Sequence, residues 1–65
     1  MLTEWELWAV AEAALKLHQE KAPLFVAERI GALAAEGDAE GVAAWKAIAR
    51  RMAALSEPPP PNLHA

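Results

Sequence analysis

The sequence predicts an all-α protein, a small three-helix bundle with a proline-rich C-terminal tail. Apolar residues recur at helical spacing in three segments of the 65-residue chain. The dipeptide Gly37-Asp38 separates the last two segments, because glycine reaches the left-handed conformation that closes a helix and aspartate caps the next one. The four prolines from position 58 then exclude further helix. We therefore expect helices at about 3–21, 23–36 and 38–55, in a domain 1–57 that precedes a tail 58–65.

The first predicted helix begins at Thr3, which forms a capping box with Glu6. Helical spacing then gives a wide apolar face, as expected for a helix that packs on two neighbours. We interpret His18, near the centre of this face, as a core residue bonded to a backbone carbonyl, since the sequence places no charged partner for a pH-sensing or catalytic role. The face comprises Leu7, Trp8, Val10, Ala11, Ala14, Leu15, Leu17 and His18.

The second predicted helix begins at Pro23, because proline fits the first turn of a helix and disfavours helical geometry at the residue before it. Its apolar face contains Val26, Ala27, Ile30, Gly31, Leu33 and Ala34. A glycine in the middle of a helix costs about 1 kcal/mol relative to alanine. We therefore expect a neighbouring helix to approach closely at Gly31.

The third predicted helix starts after Asp38 and carries a continuous apolar stripe at i, i+3 and i+4 spacing. The stripe comprises Val42, Trp45, Ile48, Ala49, Met52 and Leu55. Such a stripe of methionine and tryptophan is typical of a packed core rather than of a cofactor site. The predicted core consists of Trp45, Val26, Ile30, Leu33, Ile48 and Met52.

Three aromatic residues, Trp5, Trp8 and Phe25, are candidates for an interaction surface. Trp5 falls on the polar face of the first helix, where it either covers its own helix or the tail, or anchors a partner, as tryptophan does at binding hot spots. Phe25 falls beside Arg29 and either closes the end of the bundle or joins the exposed surface. The sequence leaves both alternatives open.

A candidate basic patch, Lys46, Arg50 and Arg51, lies on the outer face of the third helix. Basic residues in the last turns of a helix also complement its dipole, which is an alternative explanation for them. The last two helices resemble a helix-turn-helix, but a recognition helix reads bases with polar side chains near its N-terminus. This one has Asp38 and Glu40 there, and the net charge is −3. The sequence therefore disfavours nucleic-acid binding, which stays the alternative function.

The sequence indicates no catalytic, cofactor or metal site. Its hydroxyl residues, Thr3 and Ser56, stand at helix boundaries, cysteine is absent and the two histidines are far apart. There is no basic leader and no apolar run of about 20 residues, so we expect a soluble, cytoplasmic protein without a membrane span. The prolines of the tail favour polyproline II. The tail is either a ligand for another protein, packed on the bundle or disordered.

Much of the chain resembles a family of short helical proteins that is frequent in alphaproteobacteria and is known only as a domain of unknown function. The resemblance rests on Phe25–Ala34, the Gly37-Asp38 turn and Gly41–Ala49, and Glu6–Ala9 and Leu17-His18 are similar too. It covers nearly everything before the prolines. It implies a small all-helical bacterial protein and carries no activity and no functional residues.

These features favour a small, non-enzymatic protein–protein interaction module of unknown biological role. Three amphipathic helices with wide apolar faces leave more apolar surface than a 65-residue monomer readily encloses. We therefore expect self-association, with a homodimer as the preferred state. An unidentified protein partner is the other occupant that such a surface would accept.

Overall fold

A computed structural model of the chain describes residues 2–57. It contains α1 (Glu4–His18), a 3-10 turn (Gln19–Lys21), α2 (Ala22–Ala35) and α3 (Ala39–Ser56). The described part of the chain is all-helical, which confirms the predicted fold class and its three helices. The predictions for the tail 58–65 concern residues outside this part.

The junction between α1 and α2 differs from the prediction. α1 ends at His18, before the predicted limit at residue 21, because Gln19 leaves the helical conformation with a φ of +48°. The Gln19 amide still donates to the Leu15 carbonyl, and Gln19 is also the first residue of the 3-10 turn. α2 then begins at Ala22, with Pro23 in its first turn, where the missing amide of proline needs no partner.

The junction between α2 and α3 is the predicted turn, with Gly37 at a φ of +77°. The Asp38 amide donates to the Leu33 carbonyl at 2.9 Å and the Gly37 amide to the Ala34 carbonyl at 3.0 Å. This pair of hydrogen bonds defines a Schellman motif, which satisfies the last carbonyls of α2. Asp38 also starts α3, since its Oδ1 accepts from the Gly41 amide at 2.9 Å.

The helices alternate in direction. Glu6 borders the same surface depression as Gly41 at the start of α3, whereas Leu15 borders a groove with Ala49 and Met52 further along. α1 and α3 therefore run in the same general direction. α2 runs against both, because one short turn joins it to each neighbour.

The core lies where the three helices meet, and it is thin. Its buried residues are Ala11, Ala14, Ala22, Val26, Ile48 and Met52, and the partly buried residues around them are Leu7, Val10, Leu15, Phe25, Ile30, Trp45 and Ala49. Half of the buried residues are alanine, whose single methyl group adds little apolar area. The predicted core is confirmed for Val26, Ile48 and Met52, with Ile30 and Trp45 at its margin. Leu33 lies outside this cluster.

Three further expectations are corrected. A Cβ added at Gly31 would have no contacting atom within 4 Å, so the predicted close helix crossing is absent there. Leu17, assigned to the apolar face of α1, is 77% exposed, and Leu55, at the end of the α3 stripe, is also exposed. Helical spacing places both near the apolar faces, but the packing of the three helices leaves them exposed.

Candidate interaction surface

The first turn of α1 is fixed by the predicted capping box. The Thr3 amide donates to Oε1 of Glu6 at 2.8 Å, and the Glu6 amide donates to Oγ1 of Thr3 at 3.2 Å. The hydrogen bond from the Thr3 backbone, with a smaller contribution from its side chain, holds the pKa of Glu6 below its usual value. This cap sets the start of α1, so Trp5 and Trp8 follow three residues apart on adjacent turns.

Arg51 ties the start of α1 to α3. Its Nε and Nη2 donate to the two carboxylate oxygens of Glu4 at 2.7 to 3.0 Å, and its Nη1 donates to the Ala47 carbonyl at 2.8 Å. The Arg51 hydrogen bond is the main cause that lowers the pKa of Glu4. The Arg51 side chain is only 18% exposed, whereas Glu4 is 66% exposed. A guanidinium bound by a bidentate carboxylate and by its own helix has a fixed position.

The fixed guanidinium also lies against Trp8. Its Cζ is 5.6 Å from the centroid of the Trp8 ring, within the range of a cation–π contact. One face of Trp8 is therefore supported by Arg51, and the side chain stays 39% exposed. Trp5, one turn earlier, is 77% exposed. We call these two side chains the tryptophan surface.

Phe25, the third candidate, does not belong to the tryptophan surface. Its ring stacks on His18 with centroids 4.0 Å apart and meets Trp45 edge-to-face at 5.8 Å. His18 is ten residues beyond Trp8 on α1, which places Phe25 about 15 Å along the helix axis. Of the two alternatives for Phe25, the structure favours the side chain that closes the end of the bundle.

The environment of His18 differs from the expected one. The ring is partly buried, as a margin of the core would be, and stacks on Phe25 at an interplanar angle of 17°. Within residues 2–57 we find no carbonyl bonded to this ring, so stacking replaces the predicted hydrogen bond. The sequence carried no signal for this contact, because the two residues belong to different helices.

The predicted basic patch is smaller than expected. Lys46 and Arg50 are exposed on α3, one turn apart. Arg51 is partly buried and its guanidinium is engaged by Glu4, so it is not available to an anionic ligand. The sequence could not identify this partner, because Glu4 and Arg51 are 47 positions apart.

Two further properties concern residues 2–57. No group of three or more histidine, cysteine, aspartate or glutamate side chains in this range could hold a metal ion. Within the same range, no helix combines the length and the apolar character that a membrane crossing requires.

A protein-family model matches residues 3–59, and it represents a family of unknown function (DUF6961). The match includes all three helices, both junctions and the tryptophan surface. Neither the curated proteins nor the solved structures contain a match.

Proposed function

The chain belongs to this family of unknown function, DUF6961, because the match spans most of its length, and we propose that it is a small, non-enzymatic interaction module that self-associates through the tryptophan surface. The observation that carries the proposal is the exposure of Trp5, which reaches 77% on an ordered helix. Tryptophan is enriched among the residues that dominate binding energy at protein interfaces.

The surroundings of the tryptophan surface favour binding. Arg51 supports Trp8 from beneath, so this ring loses little rotational freedom when a partner arrives. Binding costs less when the contacting side chains are already ordered. The capping box at Thr3 and Glu6 likewise fixes the helix turn that carries Trp5.

A second copy of the chain is the partner that these residues suit. Glu12 and Lys16 carry opposite charges on the polar face that also holds Trp5. They form an (i, i+4) ion pair, with Nζ of Lys16 at 3.9 Å from Oε1 of Glu12. In a two-fold dimer the same patch meets itself in reverse, so each acidic residue can face a basic one. The thin core of the protomer gives a second reason, since small domains commonly gain stability by oligomerisation.

The nucleic-acid alternative has less support. Arg51 is bound to Glu4, and the start of α3 presents Asp38 and Glu40. Lys46 and Arg50 remain as exposed cations on α3. Two exposed cations on α3, in a chain with a net charge of −3, would bind phosphates weakly.

The test is solution mass over a concentration series, measured by light scattering on wild type, Trp5→Ala and Leu17→Ala. Leu17 is the matched control, because it lies on the same helix with the same 77% exposure but at the other end. We expect a dimer for wild type and Leu17→Ala, and at least a roughly tenfold weaker dimer for Trp5→Ala, with unchanged helicity. A monomeric wild type at every concentration would contradict the proposal, and so would equal weakening by both substitutions.

A further inference from the structure

An apolar groove of about 300 Å³ opens between α2 and α3, away from the tryptophan surface. It is lined by Leu15, Pro23, Val26, Ala27, Ile30, Ala49, Met52, Ala53 and Ser56. Ser56 is the polar residue of this set, and no charged side chain from residues 2–57 lines the groove. Several lining residues, Val26 and Met52 among them, belong to the core, so the groove exposes one side of a core that is already thin.

We propose that this groove is the docking site for the chain's own segment 58–65, with Leu63 as its anchor. The position of the segment favours this docking, because Ser56 is both the last residue of α3 and part of the groove wall. The chain therefore leaves the helix at the mouth of the groove. Glu57 has already left the helical path, with φ −74° and ψ 129°, an extended conformation that favours a change of direction.

The length of the segment also favours docking in the groove. Along α2 the groove wall runs from Pro23 to Ile30, which is about 10 Å at the rise of an α-helix. An extended run of prolines rises about 3.1 Å per residue, so Pro58 to Pro61 would span about 9 Å in that conformation. A proline run that folds back from Ser56 would match the length of the groove, and Leu63, two residues beyond Pro61, would follow at the end near Ile30.

The composition of the segment also suits the apolar lining of the groove. Segment 58–65 contains four prolines, one leucine and one alanine beside the polar residues Asn62 and His64, and it has no lysine, arginine or carboxylate side chain. Its prolines and its leucine can enter a groove without charged lining at little desolvation cost. The tryptophan surface is the other candidate for these prolines, but Glu4, Glu12 and Lys16 lie near it. The groove therefore fits the segment better.

A spin label at the end of the segment tests the proposal, because the chain has no cysteine of its own. Full-length Ala65→Cys carries a nitroxide on the new cysteine and is enriched in nitrogen-15. Its NMR spectrum is compared with that of the same sample after the nitroxide has been reduced. We expect paramagnetic broadening of the amides of Ala27, Ile30 and Ala53. As a control for contacts between chains, chain that carries the nitroxide at natural isotope abundance is mixed with nitrogen-15-enriched chain that lacks the nitroxide. We expect no broadening in this mixture.

Two variants of the labelled chain complete the test. Leu63→Ser should lower the ratio of docked to free segment about tenfold, since it withdraws a leucine from an apolar site. Trp5→Ala should leave the broadening unchanged, which separates this inference from the proposed self-association. Broadening at the Trp5 and Trp8 indoles, broadening in the mixed sample, or none at all would each overturn the proposal. An unchanged signal in Leu63→Ser would remove Leu63 as the anchor.

Discussion

The two junctions between helices each contain one residue with positive φ, but they use different residue types. Between α2 and α3 the residue is Gly37, at +77°, and its Schellman hydrogen bonds lie within the turn. Between α1 and α2 it is Gln19, at +48°, in a backbone conformation that residues other than glycine rarely adopt. The same change of chain direction is thus reached once with a permissive residue and once with a strained one.

Contacts on both sides of Gln19 explain how the strain is held. His18, just before it, stacks on Phe25 of α2 at 4.0 Å, and Ala22, just after the 3-10 turn, is fully buried. A strained backbone conformation persists when the surrounding structure fixes it. The α2–α3 turn is therefore defined by its own residues, whereas the α1–α2 turn is defined by the packing of its neighbours.

The largest effect on the free energy of unfolding is expected at the α2–α3 turn. Gly37→Ala should lower the free energy of unfolding by about 1–2 kcal/mol, because alanine is strained at positive φ. Gly31→Ala is the matched control, since Gly31 is helical and an added Cβ meets nothing within 4 Å. It should raise the free energy of unfolding by about 0.5–1 kcal/mol. Urea unfolding followed by circular dichroism measures both, and changes of the same sign would refute the role of Gly37.

At the α1–α2 turn, a substitution of the residue with positive φ should change the free energy of unfolding with the opposite sign. Gln19→Gly should raise the free energy of unfolding by about 1 kcal/mol, because relief of the strain exceeds the added chain entropy of glycine. Glu20→Gly, in the same 3-10 turn without a positive φ, should lower it by about 0.5–1 kcal/mol. The same urea titrations compare the two variants. A loss of stability in Gln19→Gly would show that its conformation is not strained.

The smallest effect concerns the charges in the first turn of α1. The pKa values of Glu4 and Glu6 are lowered by Arg51 and Thr3, so these carboxylates stabilise the folded state above the ordinary glutamate pKa of about 4.3. That contribution is lost as the pH falls through the lowered values. Thermal unfolding between pH 7 and pH 3 should show a decline below about pH 4.3. The decline should be smaller in Glu4→Gln and unchanged in Gln19→Gly.

Features that depend on neighbours in sequence could be predicted. The capping box of Thr3 and Glu6 and the turn at Gly37 and Asp38 each involve residues within a few positions, and both are confirmed. The end of α1 could not be predicted, because Gln19 has no intrinsic preference for its conformation.

The candidate surface shows the same division. Helical spacing identified Trp5 as a residue of the polar face, and the structure leaves it exposed. The sequence left Phe25 open between the exposed surface and the end of the bundle, and it assigned Arg51 to the basic patch. Partners on other helices cover both side chains in part. Spacing along one helix gives the direction of a side chain and not the distance to the neighbouring helix, so these contacts were beyond its reach.

The ion pair of Glu4 and Arg51 also bears on the order of folding. It closes a loop across 47 positions, whereas the turn at Gly37 joins α2 and α3 through three residues. The entropy lost on closing a loop grows with its length. We therefore expect the α2–α3 hairpin to assemble before the first turn of α1 docks on it. In stopped-flow measurements Gly37→Ala should then slow folding, and Glu4→Gln should mainly speed unfolding; the reverse pattern would show that α1 docks early.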